Sequence, residues 1–247
     1  MSSRQEEKQR RREERLAEEE KAASTAARTR RLQLVGGAVL VLAVIVVAAV
    51  LISGSGGGGG SNDPNAKTAS PKVAIPKAGP NAAPDKLQAA AADAGCKATD
   101  PPIQGSTHVS STVKYKTNPP TSGNHNPNPA SDGIYDPGNT PAKEHYVHSL
   151  EHGRIEIQYR PGTPQKTRDQ LETLFGEKTE TKFGTPSENG SYTLLFENNT
   201  NMPYEVAATA WGHMLACPKM NDKVFDAIRS FRAAYTLQAP EKILQQE

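Results

Sequence analysis

The chain has 247 residues, a formal net charge of +2 and 35% hydrophobic residues. That length accommodates one or two domains. The nearly balanced charge, with no basic patch, argues against a nucleic-acid-binding protein. Composition averages conceal a strongly uneven placement of the apolar residues, which becomes evident along the chain.

Residues 1–31 contain ten Lys/Arg and seven Asp/Glu, so the positive excess sits at the N-terminus. Within them RQEEKQRRREERLAEEEKAA carries opposite charges at i,i+4 spacing and almost no apolar face, the pattern of a solvated charged helix. Leu34 to Ile52, LVGGAVLVLAVIVVAAVLI, is then 19 residues without a charge. As a helix it would be about 28 Å long, close to the roughly 30 Å hydrocarbon core of a bilayer. It exceeds the about 7–15 apolar residues of a signal peptide and no A-x-A site follows it, so a retained single-pass anchor is expected. Arg28, Arg30 and Arg31 precede the span, and Asp63 is the one charge between Ser53 and Ala66. Basic flanks stay inside, which places residues 1–33 in the cytoplasm and the remainder outside the plasma membrane.

Residues 53–84 begin SGSGGGGGS and continue rich in Pro, Ala and Lys, a flexible linker that tethers an outer domain. That domain is expected over 85–240, with 241–247 a tail. DKLQAAAADAG predicts a short helix stopped by Gly95. Val109, Ser111, Val113 and Tyr115 alternate as in a half-buried strand. Residues 116–140, KTNPPTSGNHNPNPASDGIYDPGNT, lack periodicity, and so long a loop in a compact domain is usually functional or disordered. RIEIQYR (154–160) predicts a strand with one buried face, and Thr163-Pro164 opens a helix to about Phe175, capped by the threonine. SYTLLFE (191–197) and EVAATAWGHMLA (205–216) predict two strands paired as a hairpin through NNTNMP. Asp222 to Tyr235 places Val224, Phe225, Ile228, Phe231 and Tyr235 at helical spacing. This order implies an α+β domain, a mostly antiparallel sheet with packed helices.

Cys96 and Cys217 both follow the span, and an even count in an oxidising compartment points to one disulfide. Free thiols or metal ligation are the alternatives, though neither cysteine belongs to a CxxC pair.

The chemistry concentrates in EHYVHSLEHG, residues 144–153, which holds three of the six histidines. Thr140-Pro141 starts a helix and Gly153 stops it. On a helix His148 and His152 are neighbours that could share an ion, whereas on a strand they would stand about 13 Å apart. HSLEH also fits H-x-x-E-H, in which two histidines hold zinc and Glu151 serves as general base. A solvated helix end, with imidazoles favoured near its negative pole, is the plain alternative. His125, in the long loop, and His108, before the expected strand, widen the candidate ligand set to His108, His125, His148 and His152. Such a constellation suits copper or zinc. Met202, His213 and Met214 lie in or beside the expected hairpin, and His213 and Met214 read better as ordinary strand side chains.

The stretches YKTNPPTSGNH, GIYD, VHSLEHGRIEIQYRP and ATAWG resemble a bacterial family of uncharacterised, membrane-anchored proteins with one extracytoplasmic domain of unknown function. The resemblance covers about residues 85–238, places His108, His125, His148, Glu151, His152 and Gly153 at its motif positions, and implies a bacterial cell envelope. The N-x-S/T strings at Asn189 and Asn198 then carry no glycosylation meaning. Three readings follow: a non-enzymatic metal-binding domain holding copper or zinc, an envelope protein-interaction module with structural histidines, or a metal-dependent hydrolase using Glu151.

Overall fold

The structure is a computed structural model that describes residues 63–70, 73–182, 184, 186–187 and 189–241. The expected charged segment 1–33 and span 34–52 lie outside the described residues. Among the described residues no helix is long and apolar enough to cross a membrane.

The elements in chain order are β1 (Ala66–Lys67), a 3-10 turn (Pro84–Lys86), α1 (Leu87–Ala94), β2 (Lys97–Thr99), β3 (Gly133–Tyr135), α2 (Lys143–Glu151), β4 (Ile155–Tyr159), α3 (Gln165–Gly176), β5 (Thr193–Glu197), β6 (Val206–Ala210), β7 (His213–Cys217) and α4 (Asp222–Tyr235). The seven strands form one open sheet in the order β1-β3-β5-β4-β6-β7-β2. Only β3/β5 and β5/β4 run parallel, so the domain is α+β with a mostly antiparallel sheet, as the element order implied.

The sheet is covered on both faces. Ile155, Ile157 and Tyr159 of β4 pack with Leu171 and Phe175 of α3 and Phe231 of α4, in a core that also takes Leu87 and the buried alanines of α1. On the opposite face Tyr146, Val147 and Leu150 of α2 lie against Leu194, Phe196 and Trp211. The two cores follow from the period of two in a strand: in β5, Leu194 and Phe196 face α2 while Leu195 faces the other helices. Gly95 closes α1 in the left-handed region (φ 67°), and Cys96 just beyond is disulfide-bonded to Cys217 at the end of β7. The bond closes a 121-residue separation. A loop of that size is worth about 5 kcal/mol in the chain-entropy account.

Five sequence expectations change. The loop expected over 116–140 contains β3, which pairs with both β1 and β5. Val109–Tyr115 forms no strand: Val113 N–H is taken by Glu144 Oε1 (2.9 Å) and Lys116 N–H by Gln104 Oε1 (2.7 Å), so side chains replace a ladder. The expected hairpin of 191–197 with 205–216 is replaced by a β6–β7 hairpin turning at Trp211-Gly212, and β4 inserts between β5 and β6. An apolar tryptophan in the turn hid the break from a reading of periodicity. Thr163 does not cap α3, since its hydroxyl donates to Arg160 O instead. The expected linker ends earlier than residue 84: β1 pairs with β3, Val73 O accepts from Thr173, Pro76 O accepts from Arg229, and Gly79 N–H donates to Asp226.

The alternation in β4 is also deceptive. All five of its residues are buried, including Glu156 and Gln158, which lie on the α2 face. Thr209 Oγ1 (2.8 Å) and Gln158 Nε2 (2.9 Å) donate to Glu156 Oε2, and Asn198 Nδ2 donates to Gln158 Oε1 (2.7 Å). Burial pushes the Glu156 carboxyl well above the ordinary range, against those two hydrogen bonds. The fold therefore keeps a proton that the unfolded chain gives up above about pH 4.3. The stability this contributes is present below the unfolded value and is lost as pH rises through the folded one. Glu156→Gln should thus gain stability relative to wild type progressively above that pH, read from urea unfolding between pH 5 and 9. A difference that stays constant with pH would contradict this.

Candidate metal centre

α2 runs from Lys143 to Glu151, with His152 as its C-terminal cap residue, which meets the helical condition that shared ligation requires. Gly153 follows at φ 81°. A Cβ on Gly153 would sit 2.6 Å from Leu237 Cα, so the position needs glycine twice: for its left-handed backbone and for the chain passing over it. That chain is the C-terminal segment, held by Leu237 N–H to Gly153 O (2.8 Å) and Glu241 N–H to Glu151 O (3.2 Å).

The long loop is ordered against α2. His125 N–H donates to Thr107 O (3.1 Å) and Val109 N–H to His125 O (2.7 Å), a single parallel bridge that brings His108 alongside His125. Asn126 N–H donates to Glu144 O (3.0 Å), Ala130 N–H to His145 O (3.2 Å), and Ser149 Oγ to Ala130 O (2.8 Å). Gly123 (φ 134°) leaves room for the Tyr115 ring, whose hydroxyl donates to Asn124 O. Trp211, in the β6–β7 turn, meets the His125 ring edge-on at 5.9 Å, and Gly212 N–H donates to Thr121 O (2.8 Å). PPTSGNH, HSLEHG and ATAWG, far apart in the chain, thus meet at one place.

The ring nitrogens define the chemistry. His125 Nδ1 lies 2.8 Å from Gly123 O, and His148 Nδ1 lies 2.7 Å from Asn126 O. A carbonyl can only accept, so Nδ1 carries the proton in each ring and Nε2 of the neutral ring is a bare lone pair. Ligating histidines are held in this way, by a carbonyl or carboxylate on the nitrogen remote from the metal. His125 Nε2 is buried, and Glu151 Oε2 stands 3.0 Å from it. Donor atoms of His108, His125, His148 and Glu151 all lie within 4.8 Å of one another. Tetrahedral coordination with bonds near 2.1 Å places ligand atoms about 3.4 Å apart, so the widest pair closes with movements under about 1 Å on each side. Of the four residues His108 is exposed and the others are buried.

The electrostatics suit a cation. Burial, then the neighbouring His152, pushes His148 down to about 4. Burial, then Arg154, lowers His152. Both rings are therefore held toward the neutral form that a metal requires. Burial raises the Glu151 carboxyl; His125 pulls it back and Glu241 adds to the rise. An ion placed beside Glu151 would favour the carboxylate form that burial disfavours.

The structure brings together His108, His125, His148 and Glu151, and sets His152 at its edge, with His152 Nε2 2.9 Å from His148 Nε2. Glu151 stands among the donor atoms, a ligand position, where the sequence reading had weighed it as a general base. His145 is outside the cluster, its Nδ1 2.7 Å from Asn128 O. His213 pairs with Asp100 (2.6 Å) and stacks on Tyr235, which agrees with its reading as an ordinary strand residue. Sequence reasoning missed Glu241, which falls in the expected tail, and the carbonyls of Gly123 and Asn126, which no side-chain pattern announces. A separate cleft of about 390 Å³ lies near Arg160, Thr163, Glu205 and Phe225, away from the histidines.

Gly153→Ala should cost about 1–3 kcal/mol, the range for a side chain forced into the left-handed region. It should also lift the segment carrying Glu241. Urea unfolding checks this, and a change below about 0.5 kcal/mol, the size of an ordinary surface substitution, would contradict it.

No curated protein and no solved structure matches the chain. The family match begins at His108, later than the residue 85 expected from the resemblance, and runs to the last residue. Covering more than half of the chain and every donor in the cluster, it shows that the chain belongs to the family described as protein of unknown function (DUF3105), matched over residues 108–247.

Proposed function

We propose that this is the metal-holding domain of a membrane-tethered protein of the bacterial envelope. It takes one Zn²⁺ or Cu²⁺ on His125, His148 and Glu151, with His108 as the fourth ligand, and has no catalytic role of its own. One observation carries the reading: donor atoms of His108, His125, His148 and Glu151 all lie within 4.8 Å of one another, with His125 Nε2 buried 3.0 Å from Glu151 Oε2. Converging buried lone pairs and a carboxylate are costly without a counter-charge, and an ion among them removes that cost. Three imidazoles and one carboxylate are a donor set suited to zinc or copper(II) and lack the thiolate that a softer ion prefers.

Two other readings fit less well. Structural histidines need only one partner on each ring nitrogen, whereas here donor atoms of three histidines and a carboxylate converge within 4.8 Å. A hydrolase needs Glu151 held back to take a proton from metal-bound water, but its carboxylate lies among the donors.

Placement outside the membrane is supported by the Cys96–Cys217 disulfide, which favours an oxidising compartment, and by the Arg-flanked apolar stretch Leu34–Ile52. A partner in the envelope, one that delivers or receives the ion, is part of the proposal.

Metal content of the full-length chain, purified in detergent and measured by mass spectrometry, tests it. One zinc or copper per chain is expected. His125→Ala and His148→Ala should each weaken uptake by more than about a hundredfold, beyond the range for loss of a supporting group. Circular dichroism should show both variants folded. Wild-type chain that stays metal-free in excess zinc and copper would end the reading.

A further inference from the structure

A second donor set touches the first. The C-terminal segment, tied down at Gly153 and Glu151, holds Glu241 beside the end of α2. Glu241 Oε2 lies 3.5 Å from His152 Nε2, and its side chain is 56% exposed. Donor atoms of His148, His152 and Glu241 all lie within 4.8 Å of one another, and His148 belongs to both sets.

The sharing has a chemical consequence. His148 Nδ1 is committed to Asn126 O, which leaves Nε2 as the ring's one donor atom. That nitrogen has a single in-plane lone pair and binds one ion at a time. The two sets are therefore alternatives for one ion. Both positions lie about 2.1 Å from the same nitrogen, so they are separated by no more than about 4 Å.

The sets differ in completeness. His108, His125, His148 and Glu151 offer four donors, which close a tetrahedral shell. His148, His152 and Glu241 offer three, which leave one position open, as in sites that exchange ligands. Each set contains one carboxylate, so the ligands carry the same charge in either place, while Arg154 beside His152 disfavours a cation in the outer one.

Building on the metal reading above, we propose that His148, His152 and Glu241 form the loading port of the buried centre. An ion still carrying one ligand of its chelate binds this open set first. It then exchanges His152 and Glu241 for His125, Glu151 and His108, and sheds the chelate ligand, while His148 stays bound throughout. No electron moves and the ion keeps its oxidation state. Release follows the same route in reverse.

The test uses the full-length chain in detergent with zinc alone as the probe. Stopped-flow transfer from a chromophoric chelator gives the loading rate, removal by an excess chelator gives the unloading rate, and competition titration gives the affinity. Glu241→Gln changes an exposed side chain and leaves the fold intact; His152→Gln is its companion. Each should slow loading and unloading by a common factor of about ten, the low end for loss of a supporting group at a metal site. Affinity should hold within about twofold, because a route changes both rates equally, and stoichiometry should stay at one zinc per chain. Two zinc ions per chain would overturn the proposal by making the sets simultaneous. Unchanged rates in both variants, or lost affinity at an unchanged loading rate, would overturn it while leaving the metal reading in place. Wild-type chain without zinc would remove both.

Discussion

The site depends on two hydrogen bonds from ring nitrogens to backbone carbonyls, His125 to Gly123 and His148 to Asn126. Each decides which nitrogen carries the proton, and so which one is left bare. Without them His125 and His148 could carry their protons on Nε2. With them, the Nε2 atoms of both rings are acceptors, one 3.0 Å from the Glu151 carboxylate and one 2.9 Å from His152 Nε2, an arrangement that a cation would stabilise. The acceptors belong to the loop, so the loop must be fixed before the histidines can be.

Much of the architecture serves that fixing. α2 is anchored by Tyr146, Val147 and Leu150 on one face of the sheet, separate from the larger core on the other face. The loop carries few strand or helix bonds of its own and is instead laced to α2 and to the Trp211 turn. The polar network of Glu156, Gln158, Thr209 and Asn198 occupies the same face of the sheet. That network shares a face with the histidines, while the far side, aliphatic and aromatic at its centre, buries Arg229 and Arg232 against Glu177, Asp226 and the carbonyls that end α3. The C-terminal segment crosses the end of α2 and completes the surroundings of His152.

Local signals were legible in the sequence. The helix in EHYVHSLEHG, its glycine stop, the amphipathic helix 222–235 and the cysteine pair all follow from short-range rules, and all are found. His125 stood out because a histidine in a long patternless loop has little else to explain it. Long-range arrangement was not legible. Nothing in SYTLLFE or EVAATAWGHMLA says that β4 will enter between them, because that choice rests on burying both faces of Ile155–Tyr159. Alternating charges in β4 read as solvent exposure, yet Glu156 lies in the interior, where its Oε2 accepts from Gln158 and from Thr209, 53 positions away in sequence. Glu241 reaches the site through backbone bonds of the C-terminal segment, which leave no mark on side-chain pattern. Glu151 was legible as a candidate, a general base in the hydrolase reading, but its 3.0 Å distance from His125 is something sequence does not carry.

The central claim is that three imidazoles and one carboxylate of this domain converge on one ion. X-ray absorption at the zinc edge of the zinc-loaded full-length chain tests it most directly. The account predicts about four nitrogen or oxygen neighbours near 2.0–2.1 Å, with the outer-shell scattering of imidazole rings and no sulfur. The imidazole signal should diminish in His125→Ala. A shell of water oxygens without imidazole scattering, or a sulfur neighbour near 2.3 Å, would contradict it.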